Sequence, residues 1–120
     1  MKIDNEIITS LDLEKEINYL IALNPKLSQI DRDQLLLIAN KSIVKEFIKK
    51  KEILRYKELN LENPQINDVL NNLIQNLNLS TEKQLKDYIK NFNLSLEDLK
   101  RKIEIENEWK NLIYSRYIKS

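Results

Sequence analysis

The chain has 120 residues, a length typical of one domain, with 42% apolar and 32% charged residues. Its 20 Lys and Arg against 19 Asp and Glu leave a net charge of +1, which gives no general attraction to nucleic acid or to an anionic membrane. The absence of Cys, His and Gly excludes disulfides, the commonest general base and metal ligand, and glycine loops that cradle phosphate.

Membrane and targeting signals are missing from the sequence. No apolar run approaches the roughly 20 residues that span a bilayer, so we expect no stable membrane insertion. Met1 is followed directly by charged and polar residues, without the apolar segment of a secretory signal. The sequence alone is therefore consistent with a cytosolic protein or with a piece of a longer precursor.

The N-terminal residues predict an extended segment or a β-hairpin, with Asp4 and Asn5 as its turn. Thr9 and Asp12 have the spacing of a capping box, which predicts that a helix begins after Thr9 and covers residues 10–23. The Asn24-Pro25 pair should end it, because the residue before a proline disfavours the helical conformation.

The second predicted helix is long and covers residues 31–58. Residues 35–38 read Leu-Leu-Leu-Ile, so this turn is apolar all round and should be covered on more than one side, either by neighbouring helices or by another segment or chain. Asn60 is predicted to end the helix in the left-handed conformation that glycine usually takes.

Three further helices are predicted, over residues 65–77, 81–92 and 96–118. Ser80 is the expected cap of the second of these, and Asn93 its left-handed terminator. Ser95 and Asp98 form another capping box. The fold class predicted for residues 1–120 is therefore a single all-α domain of about five helices, one of them long, with a short extended or β-hairpin N-terminal segment.

Side chains that suggest chemistry are few. Glu104, Glu106 and Glu108 are closely spaced, but only the outer two share a side of a helix and no histidine supports them. We therefore expect no catalytic residue, metal site or cofactor. The inward stripe of the last helix is expected to include Trp109, Leu112 and Ile113, whereas Tyr114 lies one position off this stripe and is a candidate for a binding groove.

The order of these pieces resembles the N-terminal chaperone domain of SurA-like periplasmic foldases. Residues 3–13 read I-D-N-E-I-I-T-S-L-D-L, similar to the V-N-x-x-V-I-T-x-x-D-L opening of that family, although Asn5 stands at a family glycine. Residues 57–61 occupy the place of the family's K-L-G-I, with Asn60 at its glycine, and residues 94–100 resemble its steps between short helices. The last helix, with Trp109, resembles the segment that leads into the parvulin domain, which this sequence lacks.

The resemblance implies a periplasmic, ATP-independent chaperone module that binds unfolded clients such as outer-membrane protein precursors. Without a parvulin domain the chain is not expected to be an enzyme. The predicted client-binding residues are Leu35, Leu36, Ile38 and Tyr114. We also expect that an uncovered apolar face could make the isolated domain a homodimer. No nucleic-acid partner is expected.

A different class of function fits the same sequence features. A helical adaptor for one folded partner also needs an apolar surface and no catalytic residues. A broad range of unfolded clients would distinguish the chaperone from the adaptor.

Overall fold

The structure, a computed structural model, describes residues 2–3 and 6–119, and the side chains of residues 8–116. Two short strands, β1 (Lys2–Ile3) and β2 (Glu6–Ile7), pair antiparallel with Ile3 opposite Glu6. The predicted turn residues Asp4 and Asn5 lie outside the described residues, so the hairpin turn stays a prediction.

The described part of the chain contains five α-helices, and the all-α class is confirmed. They are α1 (Ser10–Leu23), α2 (Arg32–Leu54), α3 (Pro64–Asn76), α4 (Glu82–Lys90) and α5 (Leu96–Lys119), with a short 3₁₀ helix, Pro25–Gln29, between α1 and α2. The Cα atoms extend over 43 × 36 × 21 Å, so the thin dimension corresponds to two packed layers of helices.

Two capping boxes begin the first and last helices as the sequence predicts. The Asp12 N–H donates to Thr9 Oγ1 at 3.1 Å, and the Thr9 N–H donates to the Asp12 carboxylate at 2.9 Å. Ser95 and Asp98 repeat this reciprocal pair at 3.0 and 3.1 Å. Each box satisfies N–H groups that have no partner inside the helix.

The main core lies where α3, α4 and the first half of α5 meet the end of α1. Its buried side chains are aliphatic, and those of α3, α4 and α5 recur at helical spacing: Ala22, Ile66, Leu70, Ile74, Leu85, Ile89, Leu94, Leu99 and Ile103. Tyr88 joins the core from α4 and donates its hydroxyl to the Ala22 carbonyl at 2.7 Å, which fixes α4 against α1. Trp109, expected to face inward, is half-buried.

The end of α2 differs from the sequence prediction. The helix stops at Leu54 rather than near residue 58, and Asn60 does not adopt positive φ. The chain leaves the helix because two of its groups are held by α5: Lys57 pairs with Glu108 at 2.9 Å, and the Asn60 N–H donates to Glu104 at 3.0 Å. These tertiary bonds replace the predicted local cap.

The predicted caps at the two ends of α4 have different outcomes. Asn93 adopts φ 59°, as expected, and Asn78 also adopts φ 59° after α3. Ser80 is not the cap of α4, because the hydroxyl of Thr81 accepts the Gln84 N–H at 3.1 Å instead. A shift of one residue is common where two hydroxyl residues adjoin a helix start.

Candidate functional site

A buried ionic cluster joins three helices. Lys102 on α5 donates to Glu16 on α1 and to Glu46 on α2, both at 2.5 Å. Ser42 on α2 donates a further hydrogen bond to Glu16 at 2.7 Å. Glu16 is buried and these partners satisfy it, so the cluster fixes the relative positions of α1, α2 and α5.

The protonation states of this cluster follow from its surroundings. Burial raises the pKa of Tyr19 to about 12, against a smaller opposing effect of Lys102, whose Nζ lies 4.5 Å from the centre of the Tyr19 ring. Burial alone would lower the pKa of Lys102, but Glu46 and Glu16 together raise it above its ordinary value. Near neutral pH the phenol is therefore protonated and the amine charged, and neither is a general base.

A polar cleft of about 230 Å³ opens beside this cluster, between α2 and α5. Lys49 and Glu106 pair across it at 2.9 Å. Lys45 lines the cleft. Ile38 lies seven residues, or two helical turns, before Lys45, so both residues are on the same side of α2.

The three glutamates of α5 point in different directions and do not form one site. Glu104 is 0% exposed and accepts hydrogen bonds from the Asn60 N–H at 3.0 Å and the Asn63 side chain at 3.2 Å. Glu108 is buried and pairs with Lys57, whereas Glu106 is exposed. Within the described part of the chain, no group of three acidic side chains is placed to hold a metal ion.

An apolar groove lies on the surface between α1, α3 and α5, with a volume of about 220 Å³. Its apolar lining residues, which define the apolar groove, are Tyr19, Leu23, Val69, Leu73 and Ile103. Its edge is polar and consists of Lys102, Glu106, Asn107 and Lys110. A small-molecule site usually measures roughly 300–1,000 Å³, so this groove is suited to a single large apolar side chain.

The position of Tyr114 extends this groove along α5. Residues 103, 107, 110 and 114 follow the 4-3-4 spacing of one side of a helix, so Tyr114 lies on the same side as Ile103. Its side chain is 68% exposed. The groove itself ends at Lys110, and the same side of α5 continues beyond it to Tyr114, about three turns or roughly 16 Å from Ile103.

The four predicted client-binding residues are not brought together. Leu35 is 6% exposed and faces the interior, so it contributes to the core rather than to a binding surface. Leu36 is half-buried and Ile38 is exposed. Both lie near the start of α2, whereas Tyr114 lies close to Arg116, which pairs with Glu52 near the end of α2 at 2.6 Å. Leu36 and Glu52 are 16 residues apart, about 24 Å along the helix.

The residues of the groove itself were not identified as a site from the sequence. The apolar stripe that the sequence suggests for the first helix consists of Leu13, Ile17, Leu20 and Ile21. Tyr19 and Leu23 lie off it, but their spacing of four residues is a usable signal. The apolar stripe of the third helix includes Val69 and Leu73 beside Leu70 and Ile74, and is therefore wider than one neighbour can cover.

Comparisons of the chain with protein-family models, with curated proteins and with solved structures found no match. Among the described residues, no helix is both long enough and apolar enough to cross a membrane.

Proposed function

We propose that this chain is an ATP-independent chaperone module that holds unfolded or extended segments of other proteins in the apolar groove. The observation that supports it is a surface groove lined by aromatic and aliphatic side chains from three helices, of which Val69 is the most exposed at 38%, within a polar edge. Such a surface buries apolar client side chains and leaves the free domain soluble through its charged rim.

The dimensions of the groove favour an extended client. The groove accommodates one large apolar side chain, and the side of α5 from Ile103 to Tyr114 extends over roughly 16 Å, about the length of five residues of extended chain at ~3.3 Å each. One side chain of such a segment would enter the groove and others would lie along α5, and full burial of a large apolar side chain contributes roughly 1.5–3 kcal/mol. A few such contacts give weak and sequence-tolerant binding, as a holding chaperone requires.

The resemblance to the SurA N-terminal domain supports the same proposal and adds the biological setting. Under this proposal the chain has an N-terminal hairpin, acts in the periplasm and takes outer-membrane protein precursors as clients. The alternative is a helical adaptor that binds one folded partner. The two proposals differ in client range, because an adaptor would leave unrelated unfolded proteins to aggregate.

Aggregation suppression tests the proposal. The wild-type chain should reduce light scattering from several unrelated proteins diluted from denaturant. Val69→Lys places a charge at the exposed edge of the groove and should remove most of this effect. Leu11→Lys is a matched control, because Leu11 is an exposed aliphatic residue at the start of α1 that does not line the groove, and should act like wild type. Equal activity of the two variants, or no suppression by wild type, would contradict the proposal.

A further inference from the structure

A second surface with a regular pattern lies on the outward face of α2, away from the apolar groove. Leu35, Ala39 and Ile53 are buried on the inner side of this helix. The opposite side carries Leu37, Lys41, Val44 and Ile48, at spacings of four, three and four residues; this set is named the α2 seam. Leu37 is 62% exposed and Ile48 is 54% exposed, so no other part of the described chain covers them.

The spacing of the α2 seam is suited to another helix. Residues at i, i+4, i+7 and i+11 form a narrow straight stripe on one side of a helix. A partner helix that carries apolar residues at the same spacing packs along such a stripe. An extended segment presents its side chains at a period of two and does not match it.

The charge along the seam indicates the chemistry of that helix. Lys41 and Lys45 are exposed and make no ion pair with the described residues. The carboxylate of Glu46 is turned inward to Lys102, and Glu52 pairs with Arg55 and Arg116. Lys45 also lines the polar cleft with Glu46 and Glu106, so Lys41 is the charge within the α2 seam that no carboxylate of the described residues pairs with, and an acidic partner complements it.

We propose that the α2 seam docks an amphipathic helix of another protein that has apolar residues at 3-4 spacing and flanking Asp or Glu. A second copy of this chain fits less well, because pairing two α2 seams brings Lys41 and Lys45 of both copies together without carboxylates. A membrane surface also fits less well, because Lys41 lies within the apolar stripe instead of beside it.

The test uses two designed helical peptides that share leucines at heptad spacing and differ only in their flanking residues. One carries glutamates at the flanks and the other carries lysines. Fluorescence anisotropy of the labelled peptides should show binding of the acidic peptide that weakens with added salt, and at least tenfold weaker binding of the basic peptide. Leu37→Ala and Ile48→Ala should each weaken acidic-peptide binding by about tenfold.

Charge reversal gives the sharpest comparison. The double variant Lys41→Glu, Lys45→Glu should reverse the preference, so that the basic peptide binds more tightly. Leu11→Ala and Lys86→Glu are matched controls at exposed positions of α1 and α4 and should leave both affinities unchanged. All these positions are at the surface, and circular dichroism checks that each variant remains helical.

Three results would overturn the proposal. Equal binding of the two peptides would show that the α2 seam binds through apolar contacts alone and does not recognise charge. Self-association lost in Leu37→Ala, with no peptide binding, would assign the seam to a second copy of the chain. Binding to vesicles of phosphatidylserine and phosphatidylcholine, again without peptide binding, would assign it to a membrane. The α2 seam and the apolar groove share no residue, so failure of one leaves the other standing.

Discussion

Glu104 shows how one buried charge determines the path of a loop. Its carboxylate receives the Asn60 N–H and the Asn63 amide, and these bonds bring the segment between α2 and α3 onto α5. The partners lie 44 and 41 residues away in sequence. No local pattern connects residues so far apart, which is why the sequence predicts a left-handed Asn60 instead of this contact.

Glu104→Ala should therefore destabilise the fold. Removal of the carboxylate leaves two donors without partners and a cavity, at a cost of about 2 kcal/mol or more. Glu97→Ala is the matched control, because Glu97 makes an exposed pair with Arg101 at 3.1 Å and should cost less than about 1 kcal/mol. The midpoints of urea unfolding measure both, and equal shifts would refute the role assigned to Glu104.

Asp98 gives the fold a dependence on acid pH. Burial acts to raise the pKa of Asp98, but hydrogen bonds from Ser95 and Lys15 outweigh it and hold the pKa below its ordinary value of 3.8. Because the folded-state pKa is the lower one, ionised Asp98 stabilises the fold above about pH 3.8, and this stabilisation is lost as the pH falls through the folded-state pKa.

Asp98→Asn should lower the free energy of unfolding by roughly 0.3–1 kcal/mol at neutral pH, where the wild-type residue carries a charge at a helix N-terminus. The difference between variant and wild type should shrink as both are titrated below the folded-state pKa of Asp98. Chemical unfolding across this pH range measures the difference. A gap that stays constant with pH would show that Asp98 acts through its shape and not its charge.

At the scale of elements, local signals predicted helix ends well when both partners were near in sequence. The capping boxes of Thr9 with Asp12 and of Ser95 with Asp98 are confirmed because each involves residues three apart. The orientation of the apolar turn at residues 35–38 of α2 is harder to predict from the sequence. Four consecutive apolar residues give no preferred side, and only packing against α1 and α5 turns Leu35 inward and Leu37 outward.

Asn78 and Asn93 should respond differently to Ala and Gly. Both have φ 59°, and each is followed by a residue whose N–H donates to a carbonyl five positions earlier, at 2.8 Å for Leu79 and 3.2 Å for Leu94. Asn93→Ala should cost about 1 kcal/mol because a Cβ disfavours this conformation, whereas Asn93→Gly should be neutral or stabilising. Thermal unfolding compares the two, and Asn91→Ala, at negative φ, serves as the control.

At the scale of the whole molecule, the flat arrangement leaves apolar surface open. The Cα radius of gyration is 15.3 Å, compared with roughly 13.6 Å for a compact domain of this length. The sequence predicts the helices that form this arrangement, but the apolar groove combines Tyr19, Val69 and Ile103 from three elements. The proximity of these residues depends on the tertiary fold, including the ionic cluster around Lys102. No pattern along the sequence predicts this proximity.

The most direct test of client binding in the apolar groove is an NMR titration of the ¹⁵N-labelled chain with an unfolded apolar peptide. Shift changes should concentrate at the amides of Tyr19, Leu23, Val69, Leu73 and Ile103, extend along α5 to Tyr114, and disappear in Val69→Lys. Changes confined to the outward face of α2, or no changes at peptide concentrations that saturate other holding chaperones, would contradict the account.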